Sequence, residues 1–306
     1  MAEQDDALET AKIMIGTARC ADGARPVVAA FFDAPTGTVS YVVHDPATKA
    51  AAIIDSVLGF DPVSGRTCRA AADAIISHVE SLGLNIVWQL ETHVHADHLS
   101  AAAYLRERLG GRCAIGSAIA AVDGCFAPLF GRADAPARFD HLFADGDGFS
   151  IGGIAAMALH GPGHTPADLA YLIGDALFVG DTLFMPDYGT ARADFPGADA
   201  HQLYRSIQRL LTLPDATRMF VGHDYLAPGR SEYAWETTVG AQRTGNVHLC
   251  GGVDEASFVA MRRARDATLP LPRLMLPSVQ VNLRGGQLPP PDADGLRYLK
   301  LPIDGL

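Results

Sequence analysis

The sequence predicts a mixed α/β fold, one large domain carrying a C-terminal extension, and three observations point there. Apolar runs of strand length recur at residues 27–32, 39–44, 51–54, 86–90, 113–115, 154–159, 169–172, 177–179 and 219–221. Segments with helical spacing of apolar residues lie among them, at 67–82, 100–109 and 200–213. Several of the strand-like runs end in a turn that presents a histidine or an aspartate. A chain of 306 residues, 48% hydrophobic and 19% charged, has the composition of a globular protein and the length for one large core.

Taken in order, the first three runs are separated by Asp33-Ala34-Pro35-Thr36-Gly37 and Asp45-Pro46-Ala47-Thr48, both rich in turn formers. Residues 67–82 place Ala71, Ile75, Ile76 and Val79 on one helical face and stop at Gly83. Residues 86–90 form a strand, 100–109 a short helix ended by Gly110-Gly111, and 113–115 the next strand. Asp145-Gly146-Asp147-Gly148 lacks the length and the distal Glu of a calcium loop, and reads as a hairpin turn. Gly174-Asp175 joins 169–172 to 177–179 as a second hairpin. Residues 200–213 align Leu203, Ile207, Leu210 and Leu211. Beyond 250 the sequence offers one helix, 254–267, and then proline-rich connections. A segment of about 55 residues rarely holds a core alone, so 251–306 is expected to pack on a main domain spanning 12–250.

The formal net charge of −11 argues against a non-specific nucleic-acid or anionic-membrane partner. No run reaches the roughly 18 apolar residues of a membrane span. The acidic opening Met1 to Asp6 lacks the cationic start and apolar core of a signal peptide, so a cytoplasmic location is expected. Cys20, Cys68, Cys113, Cys125 and Cys250 are odd in number and widely spaced, which predicts free thiols, each a small buried hydrophobe.

The densest chemical signal is Thr92-His93-Val94-His95-Ala96-Asp97-His98, directly after the 86–90 strand. Imidazole and carboxylate are the ligands that borderline divalent metals prefer. Residues two apart on extended backbone face one side, so His93 and His95 can meet at one point, with Asp97 and His98 near a neighbouring one. Pro162-Gly163-His164-Thr165, Gly180-Asp181-Thr182 and Gly222-His223-Asp224-Tyr225 each follow an apolar run and add His164, Asp181 and His223. On the residues alone, a dinuclear Zn(II) site fits: His93, His95 and His164 on one ion, Asp97, His98 and His223 on the other, Asp181 between them. Two zinc ions per chain would then activate water for hydrolysis, as in glyoxalase II-like thioesterases or lactonases.

That order of ligands, over roughly residues 12 to 250, resembles the metallo-β-lactamase superfamily. The resemblance implies a four-layer αβ/βα sandwich. Gly180-Asp181-Thr182-Leu183-Phe184, Gly189 to Phe195 and Gly222-His223-Asp224-Tyr225 are similar to the persulfide dioxygenase branch. Asn246 to Gly252 and Leu276 to Asn282 resemble the tail of its longer bacterial type. This branch implies one Fe(II) per chain, held by His93, His164 and Asp181, with His95, Asp97, His98 and His223 around the ligands. It also implies oxidation of a thiol persulfide, most naturally glutathione persulfide, by O₂ to sulfite and free thiol, and a possible homodimer. Arg192 and Tyr225 match positions on the substrate side. The competing readings are an ion pair with Asp194 for Arg192 and a packed ring for Tyr225. Ala193 stands where many relatives have a cysteine. His44, His78, His141, His160, His201 and His248 are expected to be surface or hydrogen-bonded core residues.

Overall fold

The computed structural model describes residues 2–20, 25–130 and 139–305, with the side chains of 2–5 excepted; Met1 of the acidic opening and Leu306 at the end of the extension lie outside the described residues. Two six-stranded sheets face each other. The first runs Val27–Asp33, Thr38–His44, Ala50–Ile54, Asn85–Leu90, Arg112–Gly116, His141–Phe143, antiparallel over its first three strands and parallel thereafter. The second runs Gly148–Ile151, Ile154–His160, Leu169–Ile173, Ala176–Phe178, Arg218–Phe220, Glu236–Thr238, and its one parallel pairing joins Ala176–Phe178 to Arg218–Phe220.

Both faces of each sheet are covered, which is why the central strands read as continuous apolar runs rather than alternating ones. Between the sheets, Val39, Tyr41, Ile54 and Leu90 meet Ala158, Tyr171, Phe178 and Phe220. Helices Ala70–Leu82 and Ala102–Leu109 cover the outside of the first sheet. Helices Ala2–Cys20, Ala200–Leu210 and Glu255–Asp266 cover the second. The layers are helix, sheet, sheet, helix: the sandwich that the resemblance implied.

Several boundaries differ from the sequence reading. The predicted helix 67–82 begins at Ala70, because Arg66–Cys68 pairs with Val57–Asp61 in a small third sheet. The predicted helix 100–109 begins at Ala102, since Leu99–Ser100 pairs with Val57–Asp61. Helix Ala200–Leu210 ends before 213. Asp145 and Gly146 do form a turn, but not a hairpin: its two strands, His141–Phe143 and Gly148–Ile151, belong to different sheets. Four helices among the described residues are absent from the sequence reading: Ala2–Cys20, Ile119–Phe130, Val239–Gly245 and Met275–Asn282. The last replaces part of the proline-rich connection, with Pro277 in the first turn, where its missing N–H costs nothing.

The five thiols are free, but Cys20, Cys68 and Cys250 are exposed, against the expectation of burial. They sit at a helix end, on a short edge strand and in a turn. No helix of the described residues is long and apolar enough to cross a membrane.

Candidate metal centre

The site is built where strand ends meet. From Glu91 to Ser100 every residue but Asp97 is buried. His93 Nδ1 lies 3.0 Å from Thr92 Oγ1, and that hydroxyl donates its own proton to Asp55 Oδ2 at 2.8 Å. The Thr92 oxygen can therefore only accept, which puts the proton on His93 Nδ1 and the lone pair on Nε2. His93 Nε2 is buried without a hydrogen-bond partner. Burial and the adjacent His95 hold the His93 pKa well below its ordinary value, against the pull of Asp181, so the ring is neutral. His164 is set the same way: its Nδ1–H meets the Arg192 carbonyl at 2.9 Å, and its Nε2 faces Asp181 Oδ2 at 3.6 Å. His93 Nε2 lies 3.8 Å from that same oxygen. Donor atoms of His93, His164 and Asp181 all fall within 4.8 Å of one another.

His95 lies outside that group. Its Nε2 sits 3.0 Å from Asp55 Oδ1 and 3.2 Å from Glu91 Oε2, while its Nδ1 has no partner. Burial lowers its pKa, but the two carboxylates outweigh burial and hold it well above the usual value. His95, Asp97 and His98 form a second cluster with donor atoms within 4.8 Å. His223 Nε2 bridges the clusters, 3.3 Å from Asp181 Oδ1 and 3.6 Å from Asp97 Oδ2. Its raised pKa, about 9, reflects Asp181 and Asp97 overcoming burial. Asp181 is held low in turn: burial would raise it, but His223, His93 and His164 prevail.

Two glycines let these turns meet. A Cβ at Gly222 would stand 2.7 Å from Asp181 Oδ1, and one at Gly180, where φ is +50°, would stand 2.5 Å from Thr92 Oγ1. Any side chain there would force the ligand-bearing turns apart.

The sequence reading missed what supports the ligands. Asp55 accepts from Thr92 N, Thr92 Oγ1 and His95 Nε2, and takes φ = +50° to do so. It ends the apolar run Ala51 to Ile54 as the ligand residues end theirs, but no glycine or histidine marks the turn. Asn282, from the extension, donates to the carbonyls of His95 and His98 at 2.9 and 2.8 Å and accepts from Ser100 N at 2.7 Å. Arg262 is buried against Asp266 and the Thr190 carbonyl, and Asp266 in turn accepts from Ala193 N. His248 Nδ1 accepts from Thr190 N, so this histidine is a hydrogen-bonded anchor.

A cavity of about 650 Å³ opens over the centre, with Asp97, His98, His164 and Asp181 in its lining. Arg192 and Tyr225 both line it. Both oxygens of Asp194 grip the Arg192 guanidinium, at 2.6 and 2.8 Å, and its Nη1 donates to the Pro270 carbonyl. The ion pair weighed for Arg192 is thus present beside its cavity position. Tyr225 stacks on His223, with ring centroids 5.2 Å apart and planes 8° from parallel.

The family model for the metallo-beta-lactamase superfamily matches residues 34–223. This chain belongs to that superfamily. A beta-lactamase hydrolase-like protein of Xylella fastidiosa is 53% identical over 92% of this chain, which spans only 65% of that relative's length. The mitochondrial persulfide dioxygenase ETHE1 of Bos taurus is 30% identical, over 88% of this chain and 92% of its own. Among solved structures, ETHE1 from Myxococcus xanthus superposes with a TM-score of 0.69 at 29% identity, covering 85% of this chain and all of that one.

Proposed function

We propose that this protein is an Fe(II)-dependent persulfide dioxygenase, converting a thiol persulfide, O₂ and water to free thiol and sulfite. One observation carries the reading. The donor group that contains both His93 and His164 is closed by Asp181, with His95 outside it. Two imidazoles and one carboxylate, leaving open positions, suit non-haem Fe(II) and O₂. The likeness to persulfide dioxygenase ETHE1 adds support.

The residues fit such an ion. His93 Nε2 is a buried lone pair with nothing to accept, an arrangement that costs free energy unless a cation meets it. Bound there, Fe(II) would supply the redox chemistry with O₂ that side chains lack. The chain supplies the rest. Thr92 and the Arg192 carbonyl set the two ring tautomers. His223 holds Asp181 from one side and leaves its other oxygen to the histidines. Phe195, edge-on to His164 at 5.1 Å, and Phe184, edge-on to His223 at 6.1 Å, set apolar rings against the ligand candidates. Arg192 lines the cavity, and on this reading it would steady a developing sulfur oxyanion in competition with Asp194.

A second reading keeps a specific support: Asp97, His98 and His223 are also gathered, as a dinuclear zinc hydrolase requires. Metal analysis of protein purified without added metal, with an oxygen electrode and a thioester assay on one preparation, separates the two. One iron per chain with persulfide-dependent O₂ uptake and sulfite release is expected. Two zinc ions, rapid thioester cleavage and no O₂ uptake with iron present would establish the hydrolase.

A further inference from the structure

The cavity wall joins two chemically different groups of residues. The ligand candidates Asp97, His98, His164 and Asp181 are one; the residues after 250, which bring Arg265, Leu269 and Arg273, are the other. Four arginines line the cavity beside three aspartates, Asp33, Asp97 and Asp181, so its lining is not acidic although the protein's net charge is −11. Two of the four are committed. Arg192 is gripped by Asp194, and Arg262 is buried against Asp266. The other two are not. Among the described residues the Arg265 guanidinium has no hydrogen bond or ion pair; it lies 5.9 Å from the Tyr188 ring. Arg273 has only a 3.8 Å approach to Asp61, both side chains being at least half exposed, a pairing worth little in water.

An aromatic path links the metal centre to Arg265. His223 stacks on Tyr225 at 5.2 Å, Tyr225 meets Tyr188 at 5.5 Å, and Tyr188 meets Arg265. A ligand with its sulfur at the metal centre must therefore carry its anion only a few residue lengths away, each at most about 3.3–3.6 Å. That suits a short peptide thiol. The same positive field, after burial, keeps His248 neutral.

We propose that Arg265, seconded by Arg273, is a specificity determinant that recognises a carboxylate on a short peptide thiol whose sulfur lies at the metal centre. The C-terminal extension thereby selects the thiol carrier. This rests on the persulfide reading only for what the sulfur end does; an arginine-held carboxylate is equally compatible with a thioester substrate.

Thioether probes test it without any reaction, since a methylated sulfur carries no transferable sulfur. Calorimetric binding of S-methylglutathione to the intact metal-loaded protein is compared with two trimmed probes: the glycine-end amide, and S-methyl-cysteinylglycine, which lacks the γ-glutamyl group. S-methylglutathione should bind at least about tenfold more tightly than one of them, as removal of a charge-assisted contact predicts. Arg265→Gln should weaken S-methylglutathione by a similar factor and erase that difference. Arg273→Gln should weaken it less. Because Arg265 is exposed, its variant folds, and an unchanged thermal midpoint confirms this. Equal binding of all three probes, or Arg265→Gln with the difference intact, overturns the proposal. So does S-methyl-coenzyme A binding through Arg265 while S-methylglutathione does not bind, which assigns the arginine to phosphate. Oxygen uptake is measured separately: its absence beside Arg265-dependent binding removes the dioxygenase reading and leaves this one standing.

Discussion

At the scale of single residues, the centre depends on which ring nitrogen carries each proton. His164→Ala removes one of three converging donors and is expected to abolish bound iron and sulfite release; retention of full iron by metal analysis would refute its assignment as a ligand. Thr92→Val removes the acceptor of His93 Nδ1–H and the donor to Asp55 while keeping the shape. Such supporting contacts are worth about 10–100-fold in metal affinity, so chelator competition should show a loss of that size. Arg192→Ala should lower kcat/KM at least about tenfold with metal retained, the effect of losing a charge-assisted contact to substrate. Unchanged kinetics would leave Arg192 as a partner of Asp194 alone. His248 carries a pH signature. Burial, with Arg262 and Arg265, lowers its pKa from 6.5 to about 4. Below pH 6.5 the unfolded chain takes up this proton before the folded one, so stability is full above about 6.5 and lost as pH falls towards 4. Denaturant unfolding of wild type should show a loss of stability across that window, reduced by solvent screening of this half-buried ring, that His248→Gln lacks.

At the scale of elements, the extension is part of the centre rather than an appendage to it. Helix Met275–Asn282 ends in the side chain that ties down three backbone groups of the histidine-rich segment. Asn282→Ala leaves those buried groups without partners, at roughly 1–3 kcal/mol each. Thermal unfolding should show a loss of several kcal/mol, and metal affinity should fall with it; a wild-type midpoint would mean that water replaces the amide. Helix Glu255–Asp266 does the same for the Thr190 to Ala193 turn through Arg262 and Asp266. This element was legible as a helix over 254–267, and the structure makes Asp254 its N-cap. Helix Ala2–Cys20 was not identified, although Leu8, Ala11, Ile15 and Ala18 lie at helical intervals and are buried on the second sheet. Its mixed, alanine-rich sequence has little amphipathic contrast, and burial of small residues was not visible without the sheet that receives them.

At the scale of the molecule, two sheets with helices outside leave their strand-end turns free to converge from both halves. The first half contributes Asp55 and the 91–98 segment, the second contributes His164, Asp181 and His223, and the extension clamps both. Protein cut after residue 250 is therefore expected to lose metal and to unfold at lower temperature, measured by metal content and calorimetry on the same sample. A truncated chain with full metal would show that the clamp is dispensable.

The sequence by itself determined the ligand chemistry and the strands that carry it. Histidine and aspartate after apolar runs are local patterns, set by residue type, spacing and turn-forming glycines, so they survive without knowledge of the fold. Tertiary structure alone decided which donors share a point. His93 and His95 are two residues apart on one segment, yet only His93 joins His164 and Asp181, because Asp55 and Glu91 draw His95 aside. Tertiary structure likewise decided the part of the cavity wall that the extension supplies. Arg265 and Arg273 lie far along the chain from any ligand, and only packing of the extension brings them to the cavity. Contacts across more than a hundred residues depend on where whole layers come to rest, and that is set by burial summed over the fold rather than by any short pattern.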